Sequence, residues 1–135
     1  MRGLGVVVLF AGLLCAAPAQ AFPVMSCWNG TGQDWLEHPS RCTHSTDGSS
    51  ARTASFVGLR WSRWGKRTAT ATGRQTANHR RRDGTLPRYR TTVQVRRLTH
   101  CGDTATYYQE IRFKTAWPKT KARYSRWLPL TVPRC

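Results

Sequence analysis

Tyr89-Arg90-Thr91-Thr92-Val93-Gln94-Val95-Arg96-Arg97-Leu98-Thr99 reads as a strand with two unlike faces. Strand side chains alternate with a period of two, so Tyr89, Thr91, Val93 and Val95 share one side and Arg90, Thr92, Gln94 and Arg96 the other. Thr104–Trp117 answers it, with Tyr107, Ile111, Phe113 and Trp117 on one face and Tyr108, Glu110, Arg112 and Lys114 opposite. Cys101-Gly102-Asp103 between them is a hairpin connection. A slip of one residue would turn every apolar side chain to water, so the pairing must set Val95 against Ile111 and Val93 against Phe113. That register also brings Arg96 opposite Glu110 on the wet face, an opposite-charge pair worth a few tenths of a kcal/mol to about 1.

The flanking segments repeat the pattern. In Ala54–Trp64, Val57, Leu59 and Trp61 share a face and Arg60 and Ser62 the other; Gly65-Lys66-Arg67 is a turn. Thr68 to Gly73 alternates Thr and Ala, a thin strand that lets a neighbouring layer come close. Arg74 to Arg88 carries no apolar period but holds Arg80-Arg81-Arg82-Asp83-Gly84 and Pro87, so it reads as a long charged loop. Tyr124–Val132 is a last strand, and Pro129 puts it at a sheet edge. No segment has a convincing helical period. The expectation is an all-β domain, a small antiparallel meander closed into a barrel or a two-sheet sandwich.

The beginning of the chain has a different character. Met1-Arg2-Gly3 is a short positive start, Leu4 to Ala17 is apolar, and Ala19-Gln20-Ala21 is a small-x-small cleavage site. This is the pattern of a secretory signal peptide over 1–21, too short to span a bilayer. The rest, 22–135, is expected to be one secreted, extracellular domain with a loop-rich front (22–53) and a strand-rich body (54–135). Asn29-Gly30-Thr31-Gly32, His38-Pro39-Ser40 and Asp47-Gly48-Ser49-Ser50 are the front's turn formers, and Trp28, Trp35 and Leu36 its anchors. Leu14 before Cys15 does not suit a lipid-anchored export signal. Cys27, Cys42, Cys101 and Cys135 remain, an even set that implies two disulfides in an oxidising compartment. If the last three strands are sequential antiparallel neighbours, Cys101 and Cys135 leave the sheet at the same end. That favours Cys101–Cys135 with Cys27–Cys42, while Cys42–Cys101 would tie front to body equally well.

Charge sets the surface character. The chain has 22 Lys+Arg against 6 Asp+Glu, and only Arg2 of the basic residues would leave with the leader. Such a charge draws polyanions and opposes self-association, so a monomer with no stable membrane insertion is expected. Outside a cell the available polyanions are wall polymers, polysaccharides, lipid headgroups and stray nucleic acid. The plain alternative is basic codon usage with a margin of solubility.

Gly58-Leu59-Arg60-Trp61-Ser62-Arg63-Trp64-Gly65, followed by Ala69, Ala71 and Gly73, resembles a group of small exported proteins of high-GC Gram-positive bacteria. These share a Trp-x-x-Trp segment, an Ala/Gly/Thr strand and a later Cys-Gly, here Cys101-Gly102, and Arg126-Trp127-Leu128-Pro129 to Cys135 is similar to their C-terminal end. The likeness covers Ser55 to Cys135. It departs where many such proteins carry two close cysteines and this chain has Asn78 to Tyr89, so no cysteine pairing carries over. The resemblance implies secretion and a β fold, and nothing catalytic.

The candidate binding residues are Arg90, Arg96, Arg112 and Lys114 on the wet strand face, with Arg80, Arg81 and Arg82 in the loop. A guanidinium fork can bond two phosphate oxygens at once, and Tyr108 on the same face offers a stacking surface. The solvated-face reading competes with this. His79, His100 and Glu110 are the residue types a secreted nuclease would use, although nothing in their spacing fixes a geometry. His38, Cys42 and His44 match no closed zinc pattern. No catalytic residue, metal or cofactor is assigned. Trp61, Trp64, Trp117 and Trp127 could line a carbohydrate platform, but in a small domain they more often serve core and rim. The sequence thus points to a basic binding protein for anionic polymers, with a small secreted hydrolase or an inhibitor presenting the Arg74–Arg88 loop as alternatives.

Overall fold

The computed structural model describes residues 21–102 and 105–134. The chain runs β1 (Phe22–Trp28), β2 (Gln33–Leu36), β3 (Arg41–Ser45), β4 (Thr53–Ser62), β5 (Thr68–Thr76), β6 (Arg88–Cys101), β7 (Ala105–Thr115) and β8 (Leu128–Pro129). No helix occurs among the described residues. The leader expected over 1–21 lies, but for Ala21, outside them.

The sheet order is β2-β1-β7-β6-β5-β4-β3, with β8 also on β7. From β3 to β7 it is an antiparallel meander, as expected. Val95 faces Ile111, Val93 faces Phe113 and Arg96 faces Glu110, the register read from the apolar alternation. β1 departs from the meander by lying parallel to β7 through Phe22, Pro23 and Val24. The sheet curls into a half-barrel, so β1 and β3 approach each other although four strands lie between them in the order. The Cys27–Cys42 disulfide joins them across that approach. Cys101 is also disulfide-bonded; the expected partner Cys135 lies outside the described residues.

The concave face is the core. Cross-strand rows Cys42–Phe56, Trp61–Ala71–Val93–Phe113 and Ala69–Val95–Ile111–Leu128 fill it. Ala69, Ala71, Val93, Val95 and Ile111 are wholly buried. The small alanines let Trp61 and Trp64 pack over β5, their rings 4.8 Å apart. Both indoles are pinned, Trp61 Nε1 donating to Pro39 O at 2.9 Å and Trp64 Nε1 to Pro23 O at 3.1 Å.

Several expectations need correction, each for a tertiary reason. The loop-rich front, 22–53, also supplies three short strands, β1, β2 and β3. β2 pairs with its chain neighbour β1 and β3 with β4, while β1 also pairs with distant β7; the turn formers between these short strands mask them in the local pattern. In β4 the buried residues are Ala54, Phe56 and Leu59, and Val57 turns outward. A bulge at Gly58 (φ +62°) inserts one residue between Val57↔Arg74 and Arg60↔Thr72 and switches the parity. Tyr108 is not on the wet face but fully buried. Arg97 takes φ 60° between the pairs Arg96↔Glu110 and Leu98↔Tyr108, and in β7 the inward set passes from Thr106 and Tyr108 to Ile111 and Thr115. Finally, Arg74–Gln75–Thr76 and Arg88 belong to strands, so the loop is only 77–87. Its strand stems escape a hydrophobic reading because their inward face is polar: buried Gln75 accepts from Thr115 Oγ1, which lies 2.9 Å from Thr91 Oγ1.

The last strand is shorter than Tyr124–Val132. Leu128 and Pro129 pair with Ile111 and Glu110, and an isolated bridge joins Tyr124 to Lys114. Ser125 N donates to Phe113 O at 2.9 Å and Leu130 N to Gln109 O at 2.7 Å, so the segment still straps the outer edge of β7. Pro129 removes a donor there, as an edge permits.

Candidate functional site

The convex face of the sheet can be read as parallel rows crossing the strands. One row is Arg41–Val57–Arg74–Arg90 and the next is Arg60–Thr72–Thr92–Lys114. Beyond them come Ser62–Thr70–Gln94–Arg112, then Thr68–Arg96–Glu110–Pro129. Threonine and cations dominate this surface, and the cations fall into two groups with different surroundings.

Arg96, Arg112 and Lys114 are half-buried and engaged. Arg96 Nε donates to Glu110 Oε2 at 2.6 Å, and Arg112 Nε donates to Gln94 Oε1 at 2.8 Å. The strap lays aromatic rings between them. Arg96 stacks on Trp127 at 4.1 Å, Arg112 on Trp127 at 4.5 Å and on Tyr124 at 4.4 Å, and Lys114 Nζ lies 4.8 Å from the Tyr124 centroid. This cation–aromatic ladder fixes the strap, each contact contributing roughly 0.5–1 kcal/mol at such exposure.

The second group is free. Arg41, Arg60, Arg74, Arg88 and Arg90 are exposed and ring an open groove of about 590 Å³ that is also lined by Ser40, Val57, Gly58, Thr72 and Gly73. None of the five makes an ion pair among the described residues, where the ion pairs are Glu110 with Arg96 and Arg97, and Glu37 with His38. No carboxylate lines the groove. Arg74 and Arg90 are direct cross-strand partners, an arrangement of like charges that costs stability.

The bulge makes the depression. At Gly58 an added Cβ would meet nothing within 4 Å, so the groove floor there is bare backbone. At Gly73 an added Cβ would lie 2.8 Å from Val57 O and 3.0 Å from Leu59 Cδ2, so only glycine lets β5 pass under the bulge. Leu59 N donates to Ser40 O at 2.9 Å and draws the start of β3 to the rim. Bulges bend a strand and re-aim its neighbours, which here leaves a dent surrounded by guanidinium groups.

Of the residues singled out from sequence, Arg90 lies in this groove. Arg80, Arg81 and Arg82 are exposed on the loop after β5. That loop is internally braced: Ala77 N donates to Pro87 O and Arg80 Nη1 to Gly84 O, both at 2.8 Å. Asp83 accepts from Thr85 N and Oγ1, which holds its carboxyl below the usual range. Arg41, Arg60, Arg74 and Arg88 were not singled out, because only the β3–β4–β5–β6 register brings them together. The alternation of Arg60 with Trp61 and the proximity of Arg88 to Arg90 were the only signals.

The residues named for other chemistries do not assemble. His79 sits in the loop before β6 and His100 near its far end, with about 40 Å of strand between Arg88 and His100 at roughly 3.3 Å per residue. Glu110 is held by Arg96 and Arg97. Cys42 is oxidised, so it offers no thiolate beside His38 and His44. His44 is buried with Nε2 lacking a hydrogen-bond partner among the described residues, and desolvation pushes its pKa down to about 4. Tyr108 braces the β4–β5 turn instead of stacking outward: its hydroxyl accepts from Gly65 N at 2.9 Å and donates to Lys66 O at 2.8 Å. Burial raises its pKa. Trp117 packs against Tyr89 at 5.3 Å. Comparison with protein families, characterised proteins and solved structures finds no match.

Proposed function

We propose that this is a secreted binding protein for anionic polymers at or outside the cell envelope, and that it grips them in the groove ringed by Arg41, Arg60, Arg74, Arg88 and Arg90. The observation that carries the reading is the row Arg41–Val57–Arg74–Arg90, cations set directly across strands with no carboxylate among them. Like charges opposed on a sheet cost stability, and an anion seated between them turns that cost into binding free energy. Arg80, Arg81 and Arg82 on the adjoining loop add attraction at longer range, and Arg96, Arg112 and Lys114 extend the positive field beside the strap. The protein works as a monomer, by binding and without catalysis. The export leader pattern and the Cys27–Cys42 bridge both suit an oxidising compartment.

Heparin serves as a first probe, titrated at several salt concentrations. Neutralising four to five anionic groups gives a log K against log salt slope on the order of −3 to −4. The Arg74→Gln/Arg90→Gln double variant should flatten that slope by roughly 1.5, while Arg67→Gln, outside the groove, leaves it unchanged. A double variant that keeps both the affinity and the slope of the parent would overturn the assignment to this groove.

A further inference from the structure

We infer that the groove is built for a flexible phosphodiester chain with small polyol linkers, a reading that rests on the polyanion function proposed above. Arg74 and Arg90 are Cα partners, so their side chains leave the same face from adjacent strands with Cβ atoms about 5 Å apart, within reach of one shared anion. A tetrahedral phosphate presents non-bridging oxygens in different directions and can accept from both forks. A planar carboxylate keeps its acceptor sites in one plane, which suits two forks rising from different strands less well. Strands lie about 4.8 Å apart, so the row from Arg41 to Arg90 spans roughly 14 Å across three strand steps. That length exceeds one phosphate, and Arg60 and Arg88 flank it on either side. The ligand is therefore a run of successive phosphates laid across the strands.

The lining decides the linker. Proteins that hold single-stranded nucleic acid stack bases on aromatic rings, and no aromatic residue lines this groove. The nearby rings are committed elsewhere: Trp61 to Pro39 and Trp64, Tyr124 and Trp127 to the cation ladder. The groove offers instead the hydroxyls of Ser40 and Thr72 and the bare backbone at Gly58, where an added Cβ would meet nothing within 4 Å. These suit a narrow chain carrying hydroxyl groups, with neither bases nor bulky rings.

The test compares three charge-matched fluorescent probes on the oxidised protein at moderate salt: a glycerol-phosphate hexamer, an oligo-dT with six phosphates, and hexaglutamate. The glycerol-phosphate probe should bind at least tenfold tighter than hexaglutamate, and oligo-dT should gain nothing over it. Affinity should rise with each added phosphate up to about three or four and then level off, and Arg74→Gln should lower the hexamer's affinity several-fold. Equal binding of hexaglutamate overturns the phosphate assignment while leaving the polyanion function standing. Oligo-dT binding tenfold tighter than the hexamer overturns the polyol assignment in favour of nucleic acid. If none of the three binds, and heparin does not either, the polyanion function itself falls.

Discussion

Reversing one charge in the groove should make the protein more stable and a worse binder. Arg74 and Arg90 are directly opposed on β5 and β6, where Cβ atoms lie about 5 Å apart. Like charges in that position cost a few tenths of a kcal/mol up to about 1, and an opposite pair contributes a similar amount. Arg74→Glu exchanges the first for the second. Both side chains are exposed, so screening keeps the swing near its lower end, about 0.5–1 kcal/mol in unfolding free energy. The same change removes one anion contact, flattening the salt slope of heparin binding by about 0.7–0.9, and adds a repelling carboxylate. Urea unfolding followed by tryptophan fluorescence measures the stability, and the salt titration measures the binding. Adding Arg90→Glu restores like charge across the strands, so the double variant should lose the stability gained while binding falls further. The gain should also shrink in high salt. If Arg74→Glu destabilises the fold, or if its binding is unchanged, the reasoning from opposed cations is refuted.

Three further outcomes follow from the core and its cross-link. Replacing Cys27 and Cys42 by Ala opens a bridge with a sequence separation of 15 and should cost about 3 kcal/mol, read as a lower urea midpoint with little change in the β-sheet circular dichroism. Tyr108→Phe leaves Gly65 N–H and Lys66 C=O without their partner and should cost about 1–2 kcal/mol; a neutral result would show that water replaces the hydroxyl. His44 is depressed from 6.5 to about 4 by burial, so the unfolded chain binds more protons between those values. Its contribution is fully present above pH 6.5 and is lost progressively as pH falls toward 4, on the order of 3 kcal/mol in all. His44→Leu should flatten that part of the stability–pH curve, and an unchanged curve would assign the acid sensitivity elsewhere.

Period-two patterning was enough to determine the all-β class and the β6–β7 register. Val93, Val95, Ile111 and Phe113 leave only one pairing that keeps water out, and Arg96 and Glu110 agree with it. The alternation in Thr68–Gly73 likewise marked β5, whereas the cysteines left Cys27–Cys42 and Cys42–Cys101 both open until the approach of β1 to β3 decided for the first. Pattern failed where one residue shifted the phase. The bulge at Gly58 and the left-handed Arg97 each depend on backbone geometry, so Val57 turns outward and Tyr108 inward against the simple alternation. It failed again in 22–53, whose short strands are broken up by turn formers and whose β1 is seated by the distant β7, and in the stems of the 77–87 loop, whose inward residues are polar. The candidate site has the same origin. Arginine content is a property of the sequence, but whether a guanidinium is stacked under Trp127 or stands free beside Gly58 depends on which strands adjoin and how the sheet curls. Those neighbours are set by long-range hydrogen bonding and burial, which spacing along a single chain does not encode.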